Sequence, residues 1–231
     1  MNAKDKRNAV TAQDFAYRFI KEEILCFRLQ PNEHLSALEL ANRLEISRTP
    51  IREALSRLEQ DGLVTKGGSG GFYVRPISLK EIVDAYRIRE VLEVQAALEA
   101  LPNVDDALLE RLRGILAECE ALLDPDKYVE FLLAIRRFQA EIVVASGNGF
   151  FEQVMTPIID RARLVGGMLI RVHAPRQRQV YDENVAIFEA LEKRDAALVE
   201  ATVRRHVQNA REQVVKLLTN DTGNTYLGAS R

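Results

Sequence analysis

From Thr11 to Phe27 the apolar positions Phe15, Phe19, Ile20, Ile24 and Phe27 recur at three- and four-residue steps, the period of a helix with one buried face. Thr11, three residues before Asp14, is the cap signal that opens it. Gln30-Pro31-Asn32 breaks the pattern, and Ser36 with Glu39 forms an S-x-x-E capping box for a second helix through Leu38, Leu40, Ala41 and Leu44. After a short turn at Glu45-Ile46, a third helix places Ile51, Ala54, Leu55 and Leu58 within roughly a third of its circumference. Thr49, Arg52, Glu53, Ser56 and Arg57 take the other side. Pro50 is tolerated because the first turn has unbonded N–H groups in any case, and Ser47 or Thr49 can cap them. Two short β-prone runs, Leu63–Lys66 and Phe72–Val74, then flank Gly67-Gly68-Ser69-Gly70-Gly71 and predict a hairpin.

Past Pro76 the helical period continues almost to the end. Breakers at Pro102-Asn103, Asp124-Pro125, Gly147-Asn148, Ala174-Pro175 and near Asp195 divide it into six helices over 78–100, 104–123, 126–146, 148–172, 177–193 and 195–219. Pro157 predicts a kink in the fourth of these or a short turn split from it, and Gly166-Gly167 weakens the same helix by roughly 1 kcal/mol per glycine relative to alanine. The expected architecture is mainly α, a winged helix-turn-helix over residues 1–76 followed by an all-α antiparallel bundle over 77–219. Residues 220–231, rich in Thr, Gly and Asn, read as a flexible tail.

Two short amphipathic helices around a tight turn, the second opening with Ser47, Arg48, Thr49 and Arg52, point to DNA. The N-terminus of such a helix aims its N–H groups and hydroxyls at phosphates, while Arg48 and Arg52 have the fork geometry for guanine O6 and N7. Glycines let a bare backbone enter the minor groove, with Lys66 and Arg75 beside it. A nucleotide-phosphate loop fits poorly, since neither a GxxxxGK[ST] pattern nor a following helix N-terminus is present. The plainer reading of Arg48, Arg52 and Arg57 is a solvated face with pairs such as Glu53–Arg57; the joint occurrence of capped helix, turn, arginine-bearing helix and glycine wing favours DNA.

Composition limits the remaining classes. The 231 residues are 47% hydrophobic and 29% charged, enough for real cores and for two domains. With no run of eighteen apolar residues and no apolar stretch at the N-terminus, the chain is expected to be cytoplasmic and not in a membrane. Cys26 and Cys119 stand apart and indicate neither a disulfide framework nor a zinc site. The net charge of −2 is uneven: residues 1–76 hold 12 Lys and Arg against 10 Asp and Glu, leaving 20 against 24 beyond. The sign suits DNA contact by the first part. His34, His173 and His206 belong to no HExxH, GxSxG or comparable arrangement, which argues against an enzyme. A winged helix that binds protein has no positive feature in its favour.

Residues 11–76 resemble the winged helix of the GntR family of bacterial transcription regulators. The resemblance is carried by Pro31-Asn32, Leu35-Ser36, Leu40-Ala41, the run from Ile46 to Leu55, Leu58-Glu59, Gly62-Leu63-Val64, and Gly71 with Val74. It implies that Arg48 and Arg52 read bases, that Ser47 and Thr49 hold phosphates, and that Gly71 at the wing tip touches the minor groove; Arg57 and Lys66 join this expected DNA-binding set. Asn32 and Ala37 depart from the usual glycine and glutamate with little consequence, whereas Leu38 stands where some relatives carry a DNA-contacting arginine, so their operator preference does not transfer. The second half resembles the FCD effector domain of the FadR subgroup through Tyr86-Arg87-Ile88-Arg89, Leu92-Glu93, Arg137-Phe138, Ala145-Ser146-Gly147-Asn148, Ile187–Leu191 with Asp195, and Arg205-His206-Val207. Six helices place it nearer the VanR-like branch.

Many such domains hold a divalent metal on one Asp and three His. The matching positions here are Ile135, Gln139, Asn184 and His206, of which Ile135 has no donor and the two amides are poor replacements for imidazole. No metal and no other cofactor is expected. Gln139, Asn184 and His206 could instead converge with Arg89 on a directly bound organic acid or polar metabolite. Three alternatives stay open: Gln139 and Asn184 satisfying each other in a polar core, a more apolar, acyl-type effector, and a divalent metal retained despite the lost ligands. The expected function is a ligand-responsive transcription regulator, activator or repressor, that binds a palindromic double-stranded DNA operator as a homodimer.

Overall fold

The computed structural model describes residues 11–68, 70–172 and 175–219, with the side chains of residues 152, 161, 164 and 172 left aside. The expected tail, residues 220–231, lies outside the described residues, as does His173. The chain divides into two compact units, one up to Pro76 and one from Ile77.

In the first unit, α1 (Ala12–Leu25) starts where the Thr11 hydroxyl accepts from the Asp14 amide at 3.0 Å. Its buried face is Ala16, Ile20 and Ile24, not the one built on the phenylalanines: Phe15 is 46% exposed and Phe19 half-buried. The helix stops at Leu25, two residues short of the expected end, and Phe27 turns the chain at φ 58 with its ring buried. Glu23 replaces the aromatic face as an anchor. Buried on α1, it accepts from Arg28 and Arg43 at 2.6 Å each, tying α1 to the following helix.

β1 (His34–Leu35) leads into α2 (Ala37–Leu44), where the Ser36 hydroxyl accepts from the Glu39 amide as the capping box requires. Glu45 closes α2 in the left-handed region at φ 55, ψ 36, and α3 (Arg48–Gln60) follows. Ile51, Ala54, Leu55 and Leu58 are fully buried, so α3 packs on α1 and α2 by its apolar stripe and leaves its polar side outward. β2 (Val64–Lys66) and β3 (Phe72–Val74) form the expected hairpin, but β1 adds to it. The sheet order is β1-β3-β2, antiparallel throughout, with His34 and Thr65 both opposite Tyr73.

The second unit comprises α4 (Leu79–Ala100), α5 (Asp106–Ala121), α6 (Tyr128–Ala145), α7 (Gly149–Val172), α8 (Pro175–Glu192) and α9 (Ala196–Thr219). Six α-helices therefore appear among its described residues. Pro102 and Pro125 sit in 3₁₀ turns, Leu101–Asn103 and Pro125–Lys127, that extend α4 and introduce α6. Pro175 opens α8 rather than separating it from the chain before, because proline's missing N–H is harmless at the first helical position. Pro157 does not split α7, which runs through it unbroken. α4 packs on α6, α7 and α9, α5 on α6 and α8, and α8 on α9, around a core that includes Leu112, Phe138, Leu191 and Val203.

Candidate functional site

Two surfaces carry polar chemistry not consumed by packing, one in each unit. On α3 the outward first turn presents Ser47, Arg48, Thr49 and Arg52, all exposed. Ser47 occupies the N-cap with extended backbone, φ −71 and ψ 162, yet its hydroxyl makes no capping bond, in contrast to Thr11 and Ser36. The positive end of the helix is thus open to an outside acceptor. Among the described residues neither Arg48 nor Arg52 has an ion-pair or hydrogen-bond partner.

Arg57 differs. Its guanidinium bonds Asp14 at 3.1 Å and lies 3.9 Å from the Tyr17 ring centroid, while the Tyr17 hydroxyl donates to Asp61 at 2.5 Å. It fastens α3 to α1, where sequence reasoning put a groove contact or a bond to Glu53. Lys66 is likewise engaged, by Glu59 at 2.6 Å and the face of Phe72. Gly71 is not at the wing tip. Its carbonyl accepts from the Gly67 amide at 2.8 Å, and a Cβ there would stand 3.1 Å from His34 Nε2, which makes it the foot of the turn. The exposed turn glycines are Gly68 and Gly70, with open space where a Cβ would project, and Gly70 needs its glycine for φ 81.

Inside the bundle a cavity of about 160 Å³ is lined by Gln139, Asn184 and His206, the trio singled out in the sequence. They share it without bonding as one cluster. Gln139 Nε2 lies 3.4 Å from His206 Nε2, and His206 Nδ1 lies 2.7 Å from Glu183, an arrangement in which the imidazole donates to Glu183 and accepts from Gln139. Glu183 also accepts from Arg176 at 2.8 and 3.1 Å and from Asn209 at 3.1 Å. Burial alone would raise the Glu183 carboxyl; the hydrogen bonds from His206 and Arg176 and the charge of Arg176 outweigh it and hold the group at about 2. Asn184 does not pair with Gln139. Its amide donates to the Val180 carbonyl at 2.7 Å, and its buried Oδ1 has no partner.

Arg89 borders a second, smaller cavity of about 80 Å³ with Arg136, Arg163 and Arg176. Glu93 holds it at 2.6 Å and Tyr86 lies beneath its guanidinium at 4.9 Å. Gln139, Arg163 and His206 line both cavities and form their common wall. Sequence reasoning missed Arg163, Arg176 and Glu183. The one signal for Arg163 was its place in Ile158–Ile170, a largely apolar stretch interrupted by Asp160, Arg161 and Arg163.

These donors do not suit a divalent ion. Ile135 is a buried hydrocarbon, Asn184 offers one neutral oxygen, both imidazole nitrogens of His206 have neighbours, and the Arg163 guanidinium stands 3.5 Å from Gln139 Oε1. A fixed cation at that distance opposes a second one.

Comparison with known proteins adds the following. Residues 12–74 match the profile of the bacterial regulatory proteins of the gntR family, and residues 84–209 that of the FCD domain. The Nta operon transcriptional regulator of Aminobacter aminovorans is 27% identical over 192 residues, covering 83% of this chain and 89% of that protein. The HTH-type transcriptional repressor RspR of Escherichia coli K12 is 24% identical over 201 residues, 86% of each. Among solved structures, E. coli McbR/YncC superposes with a TM-score of 0.81 at 20% identity, covering 90% of this chain and 99% of that one. No described helix is long and apolar enough to cross a membrane.

Proposed function

The chain belongs to the gntR family of bacterial regulatory proteins and carries an FCD domain, and from that premise we propose that it binds a palindromic operator as a homodimer and is released from it by a small organic acid held in the bundle. The observation that carries the DNA half is the open first turn of α3: Arg48 and Arg52 are exposed and uncommitted beside an uncapped helix N-terminus. Arg52 and Arg48 read base edges in the major groove, and Ser47 and Thr49 take phosphates. Arg57 and Lys66 contribute positive potential and positioning more than base contacts, since each already bonds a carboxylate.

Two-fold symmetry sets the recognition helices about one helical turn apart or a multiple of it, hence the palindrome. The effector half rests on the cavity around Gln139, Asn184 and His206, enclosed among α4, α6, α7, α8 and α9. Binding there shifts the operator equilibrium only as far as the ligand prefers one dimer state over the other. The role is that of a repressor and not of an enzyme.

Fluorescence anisotropy on the full chain, with operator fragments selected from the host genome, tests this reading. Arg48→Ala and Arg52→Ala are each expected to weaken specific binding by about 1–3 kcal/mol and to relax preference at one base position. If both variants bind the selected fragment as tightly as the native protein does, α3 is not the reading helix. A low-molecular-weight extract of the host is expected to dissociate the native complex.

A further inference from the structure

The two cavities of the bundle share a wall, and together they describe a ligand. The larger is bounded mostly by hydrocarbon: Ala97, Phe138, Ile142, Met155, Ile159 and Val203. At about 160 Å³ it matches the ~150 Å³ apolar cavity that takes up benzene. The smaller is also mostly apolar, with Leu132, Ile135, Ile170 and Val214 in its lining, but adds four arginines. Two of these are answered at close range, Arg89 by Glu93 at 2.6 Å and Arg176 by Glu183 at 2.8 Å.

Arg163, on the wall between them, is not answered in that way. Asp160 lies 3.9 Å away and Gln139 Oε1 3.5 Å, both at the outer limit of contact. Burial and the charge of Arg136 push its guanidinium down to about 10 against the partial support of Asp160 and Glu93, so it stays charged at neutral pH. Its side chain is only 24% exposed, no carboxylate meets it at close range, and its planar fork suits one.

We propose that the effector is an apolar monocarboxylate, its carboxylate on Arg163 and its body, of about the size of a six-membered ring, in the hydrocarbon cavity. The guanidinium supplies the positive charge that a bridging metal would otherwise bring to the acid. A hydroxyl or amino group on the body would satisfy Asn184 Oδ1 from the same cavity. Dicarboxylates and sugar acids are disfavoured because they would put polar groups against Phe138, Met155 and Ile159. Arg89 then serves the site by holding Glu93 and not by touching ligand.

The proposal rests on the effector reading above, and the experiment separates the two. Benzoate, cyclohexanecarboxylate, benzyl alcohol and succinate are titrated into the full chain by calorimetry. The two apolar acids are expected to bind at least tenfold more tightly than either the neutral alcohol or succinate. Arg163→Gln is expected to lose at least tenfold for benzoate, with benzyl alcohol binding unchanged as the sign of an intact cavity; Arg163→Lys should recover part of the loss. Benzoate binding equal to that of benzyl alcohol, or unchanged by Arg163→Gln, overturns the role of Arg163. Preference for succinate overturns the apolar class and leaves the effector reading standing. Absence of binding by every probe overturns the proposal, and the effector reading falls with it only if host extract also fails to release the operator.

Discussion

Arg52 and Arg57 share the outward side of one helix in the sequence, yet Asp14 and Tyr17 hold one and nothing described holds the other. Periodicity gives a face and not a partner, so the distinction came only from the packing of α1 on α3. The same holds in the bundle. Gln139 and His206 were legible because they occupy aligned positions of a known domain, whereas Arg176 and Glu183 carry no such mark and meet only once α8 is folded. Glu183 has a measurable signature. Its carboxyl is held at about 2 against an ordinary 4.5. A depressed pKa contributes stability that is complete above the unfolded value and lost as pH falls through the folded one. Denaturant titrations of the native chain are therefore expected to lose stability between pH about 4.5 and about 2, and Glu183→Gln is expected to flatten that decline while lowering stability at pH 7. An unchanged slope in the variant would place the acid sensitivity elsewhere.

Among the elements, helices were the more legible because three or more turns of apolar spacing average out local exceptions. β1 is two residues long and carries no period, so its pairing with β3 could not be read from His34-Leu35 alone. Of the two outcomes expected at Pro157, the split does not occur, and Pro175, expected as a breaker, begins a helix instead. The turn between α2 and α3 contains an unforced cost. Glu45 adopts φ 55 at the C-cap of α2, a conformation that a side chain disfavours by about 1 kcal/mol. Glu45→Gly is expected to stabilise the first unit by about 0.5–1 kcal/mol, read as a higher denaturation midpoint with unchanged operator affinity.

At the scale of the whole molecule, three helices of the second unit leave large apolar side chains uncovered: Ile88 and Val91 on α4, exposed by 49% and 64%, Val144 on α6, by 68%, and Phe150 and Val154 on α7, by 75% and 51%. Such exposure on adjacent helices is unusual for a monomer and is where the proposed dimer would form. Val91→Glu combined with Phe150→Glu is expected to sediment as a monomer and to lose most of its affinity for a two-half-site operator while keeping that for a single half-site; a dimer of unchanged stability would move the interface elsewhere. The unpaired Oδ1 of Asn184 reaches further than its cavity. A buried acceptor without a donor costs about 1–3 kcal/mol, and a ligand that supplies the donor removes that cost. Because cellular turnover follows the small fraction of unfolded chain, the amount of regulator present is expected to rise and fall with the supply of the proposed effector.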